Sequence, residues 1–306
     1  MLPIPTTTTG LGYEEVDEST VYADWVECSA LFQDESISKA DVKECFSEIN
    51  SFDSETGSSE IDDIWSELER RKRLLGSQYP LKIERNRIKL SATSWKDYPA
   101  YSYCTLLSYS KSNKEWMHNY CNDYQKQGDL FEHVSKAALM YILKDWDTIL
   151  TGWSRSNPTN IKNKIKDIAN TFGTTIGQIS PDSDDKDGGV DILCYRKFSD
   201  ARGNYPAFFI QCATGANWTD KRMTDALKLW RHWIYFYSPS LLSRGLAVPF
   251  AFGDETFRQT QVKGDCLVLD RIRLLAQDVQ ESEWIPGNIL KEISSWIEKK
   301  IKTFED

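Results

Sequence analysis

No apolar run in the 306-residue sequence approaches the roughly 18 residues that a membrane-spanning helix requires. The two most apolar stretches, residues 233–242 and 246–252, are interrupted by tyrosine, serine and proline, and Arg244 lies between them. The first ten residues, MLPIPTTTTG, lack the basic segment and the long apolar core of a secretory signal. These absences predict a cytoplasmic protein with no signal peptide and no membrane partner.

Sequence motifs of several enzyme classes are also missing. The seven cysteines form no CxxC pair, and the three histidines show no metal-ligand spacing. These features argue against a zinc site or an HNH nuclease, and they favour cysteines that are small buried residues of a reduced protein. There is also no P-loop motif and no GxSxG, so the chain is not itself a P-loop ATPase and lacks the usual serine-hydrolase signature.

Negative charge is concentrated near the N-terminus. The whole chain carries 46 Asp and Glu against 37 Lys and Arg, a net charge of −9. Residues 1–64 contain 16 of these acids and only Lys39 and Lys43, a net charge of −14, so residues 65–306 carry a net charge of +5. An acidic total argues against a partner that is a polyanion, but local patches decide binding. The asymmetry therefore leaves nucleic acid open as a partner.

The first 115 residues are predicted to form a mostly helical N-terminal module behind a flexible acidic tail of about 20 residues. Apolar residues at helical spacing predict three helices, over residues 21–32, from Ser38 onward and over residues 60–75. Alternating apolar residues around Asn86 then predict a hairpin. Three helices followed by a hairpin is the order of a winged helix. Residues 91–115 look like a connector with one apolar helix.

Five arginines of this module are candidates for contacts with DNA. Arg70, Arg71 and Arg73 end the third helix, which would read the groove, and Arg85 and Arg87 flank the tip of the wing. The alternative is a small helical scaffold whose basic run is a solvated surface at a helix C-terminus. Both interpretations remain open from the sequence.

Residues 116–306 are predicted to form a second domain of the mixed α/β class. A buried helix at 130–143 carries Glu132 in its first turn, and a second helix near residues 161–169 turns Lys162, Lys164 and Lys166 away from its apolar face. The remaining predicted elements are strands at 190–195, 207–212, 246–252 and 266–269, a long helix at 217–237 and a final helix after Pro286. This order predicts a mixed sheet flanked by helices.

The most informative stretch is KDGGVDILCYRKFSDARGNYPAFFIQCATGANWTDK, residues 186–221. It places Asp191 after a Gly-Gly turn at the start of one strand, and Gln211 near the end of the next strand. Neighbouring strands of one sheet can bring these side chains together. A carboxylate and an amide oxygen suit Mg²⁺ or Mn²⁺, which can activate water at a phosphate. The alternative is that Asp191 only closes a turn and that Gln211 is an incidental polar residue.

This arrangement resembles the PD-(D/E)xK, or restriction-endonuclease-like, superfamily, particularly its Mrr-like branch. The matching residues are Glu132 in LFEHVSKAAL, Asp191 in DGGVDIL and Gln211 in FFIQCA, over about residues 125–240. The resemblance implies a Mg²⁺-dependent or Mn²⁺-dependent nuclease that hydrolyses phosphodiester bonds in DNA, with these three residues at the metal. The layout, an unrelated N-terminal module on such a core, is similar to that of bacterial phage-defence nucleases. Glu132 has the alternative role of stabilising a helix dipole.

The lysine of the family pattern is missing, since the residue two positions after Gln211 is Ala213. Three explanations of the missing lysine are open. The lysine has moved to another position, the domain is an inactive binder, or the alanine is an engineered replacement. The best substitute is Lys221, which we expect in the first turn of the helix that Asn217 caps. Lys197, beyond the other end of the Asp191 strand, is a weaker substitute. Lys221 as an ordinary surface lysine is the alternative.

The expected partners follow from this resemblance. They are DNA, a separate ATPase or another defence-system subunit, and a second copy of the chain in a homodimer. Trp218, close to the candidate site, is expected to stack on a base. The rival hypothesis is a catalytically inactive subunit that keeps the nuclease fold and binds nucleic acid or a partner protein.

Overall fold

The computed structural model describes residues 1–6, 18–33, 36–48, 56–151, 161–182, 185–200, 202–215, 217–221 and 223–304. The helices are α1 (Glu18–Phe32), α2 (Lys39–Glu48), α3 (Thr56–Leu75), α4 (Pro99–Ser112), α5 (Lys114–Tyr120), α6 (Tyr124–Ile142), α7 (Ile161–Thr171), α8 (Met223–Trp233), α9 (Asp254–Gly264), α10 (Arg271–Leu275), α11 (Glu281–Trp284) and α12 (Gly287–Ile301). The strands are β1 (Ile37–Ser38), β2 (Leu81–Glu84), β3 (Arg87–Leu90), β4 (Asp147–Leu150), β5 (Thr175–Ile176), β6 (Ile192–Tyr195), β7 (Ala207–Cys212), β8 (Ile234–Tyr235), β9 (Leu242–Ala247) and β10 (Leu267–Leu269).

A five-stranded mixed sheet lies at the centre of the C-terminal part, in the order β10-β9-β7-β6-β4. The strands β10, β9 and β7 are parallel, whereas β6 pairs antiparallel with both β7 and β4. Successive side chains of each strand point to opposite faces of the sheet. Both faces are apolar, and helices cover both. Ile192 and Ile210 join the core beneath α6, while Leu193 and Phe209 pack with α7 and α8. The predicted class, a mixed sheet flanked by helices, is confirmed.

The N-terminal part contains the three predicted helices and the predicted hairpin. β2 and β3 pair antiparallel around the turn at Arg85 and Asn86, and Arg85 adopts a positive φ of 48° there. The short strand β1, which the sequence did not predict, adds to β3 and gives the order β1-β3-β2. Apolar side chains of α3, such as Ile64 and Leu68, are buried at helical spacing.

The prediction of a flexible tail is wrong for residues 1–6. Leu2 is only 2% exposed, and its carbonyl accepts a hydrogen bond from Nε1 of Trp25 at 2.7 Å. The segment continues along α4, where the carbonyl of Ser112 accepts the backbone N–H of Thr6 at 2.9 Å. This segment is held because its apolar side chains and its backbone groups find buried partners. Residues 7–17 lie outside the described residues.

Helix α4 is the one apolar helix that the sequence predicted within the connector at residues 91–115, but all 14 of its residues are buried, so it belongs to the core. Its N-terminal amides at Ala100 and Tyr101 donate to the carboxylate of Glu281, at 2.7 and 2.9 Å. The ring of Tyr103 packs edge-on against Trp296 of α12, with 5.2 Å between the ring centroids. One apolar core therefore runs from residue 2 to residue 297 and crosses the predicted domain boundary at residue 115.

Candidate active site

Asp191 and Gln211 lie at the same end of the central strands β6 and β7. The register pairs Ile192 with Ile210, so its continuation by one residue places Asp191 opposite Gln211. The N–H of Asp191 also donates to the carbonyl of Ile210 at 2.9 Å, which extends the ladder to this point. The prediction that neighbouring strands of one sheet bring Asp191 and Gln211 together is confirmed, and both strands lie inside the five-stranded sheet.

The carboxylate of Asp191 is nearly buried, with 9% of the residue exposed. Its Oδ2 accepts the backbone N–H of Cys212 at 2.7 Å, which fixes the side chain against β7. Burial and the negative charge of Asp187 raise the pKa of Asp191 to about 7, although the Cys212 N–H and the positive charge of Lys221 oppose this shift. A cation close to such a carboxylate would stabilise its charged form.

The Oε1 atom of Gln211 is buried and has no hydrogen-bond partner among the described residues. The opposite atom of the amide, Nε2, lies close to Gly189, which has a φ of +75°. A Cβ at Gly189 would lie 3.5 Å from Nε2 and 3.3 Å from the Cβ of Ala226. Glycine therefore serves this turn both through its backbone conformation and through the space it leaves. A buried amide oxygen without a partner is costly unless a ligand satisfies it.

Glu132 belongs to the same acidic cluster. It lies on α6, which begins at Tyr124, so Glu132 is in the third turn and not in the first turn as the sequence predicted. The helix begins at Tyr124 and not at the predicted residue 130. The residues between these positions are helical but mostly polar, so the apolar pattern did not reveal them. Burial and the charges of Asp191, Asp129 and Asp187 raise the pKa of Glu132 to about 9. The alternative role of Glu132 in stabilising the helix dipole does not apply at this position.

Sequence reasoning missed two charged residues of this cluster, Asp187 and Lys164. Asp187 precedes the Gly-Gly turn, and its Oδ1 accepts the N–H of Gly189 at 2.8 Å. Lys164 was predicted to face away from the apolar side of its helix, but its Nζ donates to the carbonyl of Leu150 at 3.0 Å. The spacing could have shown this, because Lys164 lies three residues after Ile161 and therefore shares its face.

Lys221 does not occupy the predicted first turn of a helix. A short 3-10 turn over Trp218–Asp220 ends at Lys221, which has an extended backbone, and α8 begins only at Met223. Asn217 makes no side-chain capping hydrogen bond. Lys221 is exposed, but its positive charge lowers the pKa of Asp191, so it lies within electrostatic reach of the site. The weaker substitute, Lys197, is paired with Asp147 at 3.1 Å, next to the other end of β6.

The position expected for the family lysine lies in an apolar cluster. Ala213 is 2% exposed and packs with Trp218, Val248 and Phe250. Its N–H donates to the carbonyl of Ala247 at 2.9 Å, which continues the pairing of β7 with β9. A lysine here would need to leave this cluster to reach the acidic groups, because an unpaired ammonium is not stable among apolar side chains.

Two of the predicted contacts with nucleic acid are wrong because the side chains are fully buried. Trp218 has no exposed surface and packs against Phe252, with 4.8 Å between the ring centroids. Arg71 is also fully buried, and it donates to Asp24, Glu27 and Glu67 at 2.7–2.8 Å. Neither side chain can reach a base or a phosphate.

The other four arginines have different degrees of exposure. The side chain of Arg70 is 15% exposed and pairs with Glu67 and Asp254. Arg73, Arg85 and Arg87 are exposed. Only these last three are available to an extended polyanion without rearrangement of buried groups.

The residues at the sheet end fit a hard divalent cation. The buried carboxylate of Asp191, the partly buried carboxylate of Glu132 and the unpartnered oxygen of Gln211 are the donor types that Mg²⁺ and Mn²⁺ prefer. Within the described ranges, no group of three or more His, Cys, Asp or Glu side chains is arranged to hold a metal ion. A cation here would therefore need the amide oxygen, with water in the remaining positions.

Comparison with protein-family models, with curated proteins and with solved structures finds no match to this chain. The resemblance to PD-(D/E)xK nucleases therefore rests on the residues described above. Among the described residues, no helix has both the length and the apolar character needed to cross a membrane.

Proposed function

We propose that this protein is a Mg²⁺-dependent or Mn²⁺-dependent endonuclease that hydrolyses phosphodiester bonds in DNA, in bacterial defence against foreign DNA. One observation carries the proposal. The end of the central β6–β7 pair combines the buried carboxylate of Asp191 and the partly buried carboxylate of Glu132, whose pKa the charge of Asp191 raises, with the unsatisfied oxygen of Gln211. Carboxylates with strongly raised pKa values that lie beside a polar group without a partner are typical of functional sites.

Each residue has a role in this proposal. Asp191, Gln211 and Glu132 hold the cation, and the Cys212 N–H keeps the Asp191 carboxylate in place. When bound, the cation supplies an activated water and stabilises charge on the phosphate. Lys221 places a positive charge near Asp191, where negative charge develops during hydrolysis. The proposal also implies that the C-terminal part has a restriction-endonuclease-like fold.

The N-terminal part has a supporting role in the proposal. Its order of helix, strand, two helices and hairpin is that of a winged helix, with α3 as the third helix. The exposed wing residues Arg85 and Arg87, together with Arg73, then contact DNA or a partner such as a separate ATPase. The exposed acidic residues of α3, including Asp62 and Glu69, argue against deep insertion of this helix into a groove.

The test is metal-dependent cleavage of supercoiled plasmid and of oligonucleotide duplexes, with Mg²⁺ or with a chelator. We expect the parent protein to cut with Mg²⁺ and Asp191→Asn to lose cleavage. The matched control is Asp167→Asn, an exposed acid on α7, which should cut at the parent rate. Calorimetric titration with Mn²⁺ gives a second readout, since Asp191→Asn should also lose metal binding. Cleavage by Asp191→Asn at the parent rate would exclude this site.

The second candidate function is an inactive nuclease-fold subunit that binds nucleic acid or a partner protein. The burial of Ala213 in an apolar cluster favours it, because a lysine is absent from the position where the resemblance places one. The same assay decides between the two candidates. A parent protein that binds duplex DNA but leaves it intact with either metal supports the second candidate.

A further inference from the structure

A four-residue turn from Asp187 to Val190 leads directly into the candidate site. The N–H of Val190 donates to the carbonyl of Asp187 at 3.3 Å, and Gly188 and Gly189 between them have φ values of +63° and +75°. Positive φ at both central residues is characteristic of a type I′ turn, which glycine adopts without strain. The next residue is Asp191, so the geometry of this turn determines where its carboxylate lies.

Helix α8 holds this turn through the side chain of Trp230. The indole N–H of Trp230 donates to the carbonyl of Asp187 at 3.0 Å. The ring has no exposed surface, and it packs edge-on against Phe209, with 5.7 Å between the ring centroids. Phe209 lies on β7, two residues before Gln211. One buried side chain therefore contacts both the turn before Asp191 and the strand that carries Gln211.

The same face of α8 packs directly against the backbone of the two glycines. A Cβ at Gly188 would lie 2.5 Å from two ring atoms of Trp233 and 3.0 Å from Nε1 of Trp230. A Cβ at Gly189 would lie 3.3 Å from the Cβ of Ala226. Ala226, Trp230 and Trp233 are spaced by four and three residues, so they share one side of the helix. This face leaves the turn little room to shift toward α8.

The strands hold the residues that follow the turn. Thr151 donates its N–H to the carbonyl of Asp191 at 2.8 Å and its hydroxyl to the carbonyl of Val190 at 2.6 Å. The N–H of Cys212 donates to the Asp191 carboxylate at 2.7 Å. These bonds act on the sheet side, whereas the bond from Trp230 acts on the turn from the helix side. The position of Asp191 thus depends on both.

We infer that Trp230 is a positioning residue of the proposed metal site, and that its indole N–H keeps the Asp191 carboxylate opposite the Gln211 amide by holding the carbonyl of Asp187. The inference rests on the proposed function, because that function supplies the cation which the two groups bind. Without the indole N–H, the Asp187 carbonyl keeps the longer bond from Val190, at 3.3 Å. The turn can then move, and the carboxylate moves with it. Hydrogen bonds that orient metal ligands contribute about 10-fold to 100-fold to metal affinity.

The experiment is calorimetric titration of the full chain with Mn²⁺, in the absence of DNA. We expect Trp230→Phe to weaken Mn²⁺ binding by about tenfold or more. The matched control is Trp65→Phe, which removes the same atoms from a buried tryptophan of α3. Nε1 of Trp65 has no hydrogen-bond partner within the part of the chain that the structure describes. This control should lose stability but bind Mn²⁺ like the parent.

A second change at the same position separates the hydrogen bond from the packing of the ring. Site-specific incorporation of 3-benzothienylalanine at position 230 keeps nearly the shape of tryptophan but puts a sulfur in place of the N–H. This protein should fold with a melting temperature close to that of the parent and still bind Mn²⁺ as weakly as Trp230→Phe. A merely structural role of Trp230 would not affect Mn²⁺ binding by a folded protein. Parent-like Mn²⁺ affinity of the benzothienylalanine protein would therefore overturn the inference.

Plasmid cleavage with Mg²⁺ distinguishes this inference from the proposed function. If the parent cuts and the benzothienylalanine protein binds Mn²⁺ like the parent, the inference fails and the proposed function stands. If the parent binds Mn²⁺ through Asp191 and Trp230 without cutting DNA, the inference stands and the nuclease proposal fails. If Asp191→Asn binds Mn²⁺ as tightly as the parent, both fail.

Discussion

Arg71 shows how a charged side chain in a basic run can belong to the core. It lies on the inner face of α3, four residues after Glu67 and below Asp24 and Glu27 of α1. Arg271 of α10 reaches the same two acids of α1, and Tyr79 donates to Glu27 at 2.9 Å. Two guanidinium groups and three carboxylates thus share one buried cluster. Each charge is stable there only because the others are present.

Removal of one member of this cluster should therefore be severe. We expect Arg71→Ala to lower the free energy of unfolding by about 3–5 kcal/mol, since it leaves buried carboxylates without their cation. Arg73→Ala, two residues later and exposed, should change it by less than about 0.5 kcal/mol. Urea unfolding followed by circular dichroism measures both. Equal stability of the two variants would contradict this account of Arg71.

Helix α4 depends on a carboxylate from a distant element. Glu281 of α11 is buried, and it accepts the first two N–H groups of α4, at Ala100 and Tyr101. These donors have no partners within the helix, so an acceptor is required. Burial nevertheless raises the pKa of Glu281 to about 7, against the opposing effect of the two N–H groups.

This arrangement predicts a pH-dependent stability. In the unfolded chain Glu281 titrates near its ordinary value of 4.5, whereas in the folded protein it titrates near 7. Between these values the folded state holds a proton that the unfolded state releases, so stability falls as pH rises from about 4.5 to 7 and is then constant. The contribution lost is on the order of 3 kcal/mol.

The measurement compares the unfolding free energies of the parent and Glu281→Gln at several pH values from 4 to 8. Their difference should shift in favour of the variant up to about pH 7, because glutamine does not titrate. A difference that stays constant across this range would contradict the assignment to Glu281.

The elements with a strong local signal were predicted well. The apolar run at 207–212 predicted β7 with its observed bounds, and the three N-terminal helices and the hairpin were found in the right order. Elements that depend on distant partners were not. α4 was predicted as one apolar helix, but as part of a connector and not of the core, because its many serines and tyrosines are polar in sequence. In the structure these side chains bond to the backbone of α4 and to buried neighbours, as Ser108 does to Asp24. The predicted helix 217–237 is divided because Trp218 is drawn into the apolar cluster with Phe252.

The candidate site was predictable only in part, for the same reason. Strand pairing is largely local between β6 and β7, so the position of Asp191 opposite Gln211 followed from the sequence. The contact of α7 with the end of the sheet is a tertiary contact between distant segments of the chain. Lys164 was therefore not predicted as a residue of the candidate site. Asp187 was hidden in a turn rich in acidic residues, where its hydrogen bond to Gly189 gives it no separate sequence signal.

The largest apolar core of the molecule contains residues from both sides of the predicted domain boundary at residue 115, and two smaller apolar clusters lie in the C-terminal part. α4 packs against α1 and α12, so the helices of the first 115 residues and the last helix share buried surface. Arg271 is fully buried, and it finds its counter-charges on α1. The predicted division into residues 1–115 and 116–306 therefore separates charges that stabilise each other.

A fragment of residues 116–306 should consequently fail to fold. It would lack α4 and would leave Arg271 without Asp24 and Glu27, in a protein whose net stability is small compared with such terms. We expect no cooperative thermal transition by circular dichroism, whereas the full chain should unfold in one. A fragment with native-like helix content and a sharp transition would support two independent domains instead.

The partners of the first residues also bear on how the chain matures at the ribosome. The carbonyl of Pro3 and the N–H of Thr6 form hydrogen bonds with Tyr109 and Ser112 of α4. This N-terminal segment therefore cannot pack until α4 has left the ribosome. The acids of α1 gain one of their two counter-charges later still, because Arg271 lies 247 residues after Asp24 and 244 residues after Glu27. A nascent or prematurely terminated chain therefore carries an open core and an incomplete charge cluster, which makes it a substrate for chaperones and proteases. The charge cluster is completed only when Arg271 joins it, so the stability of the N-terminal helices depends on synthesis of the chain past this residue.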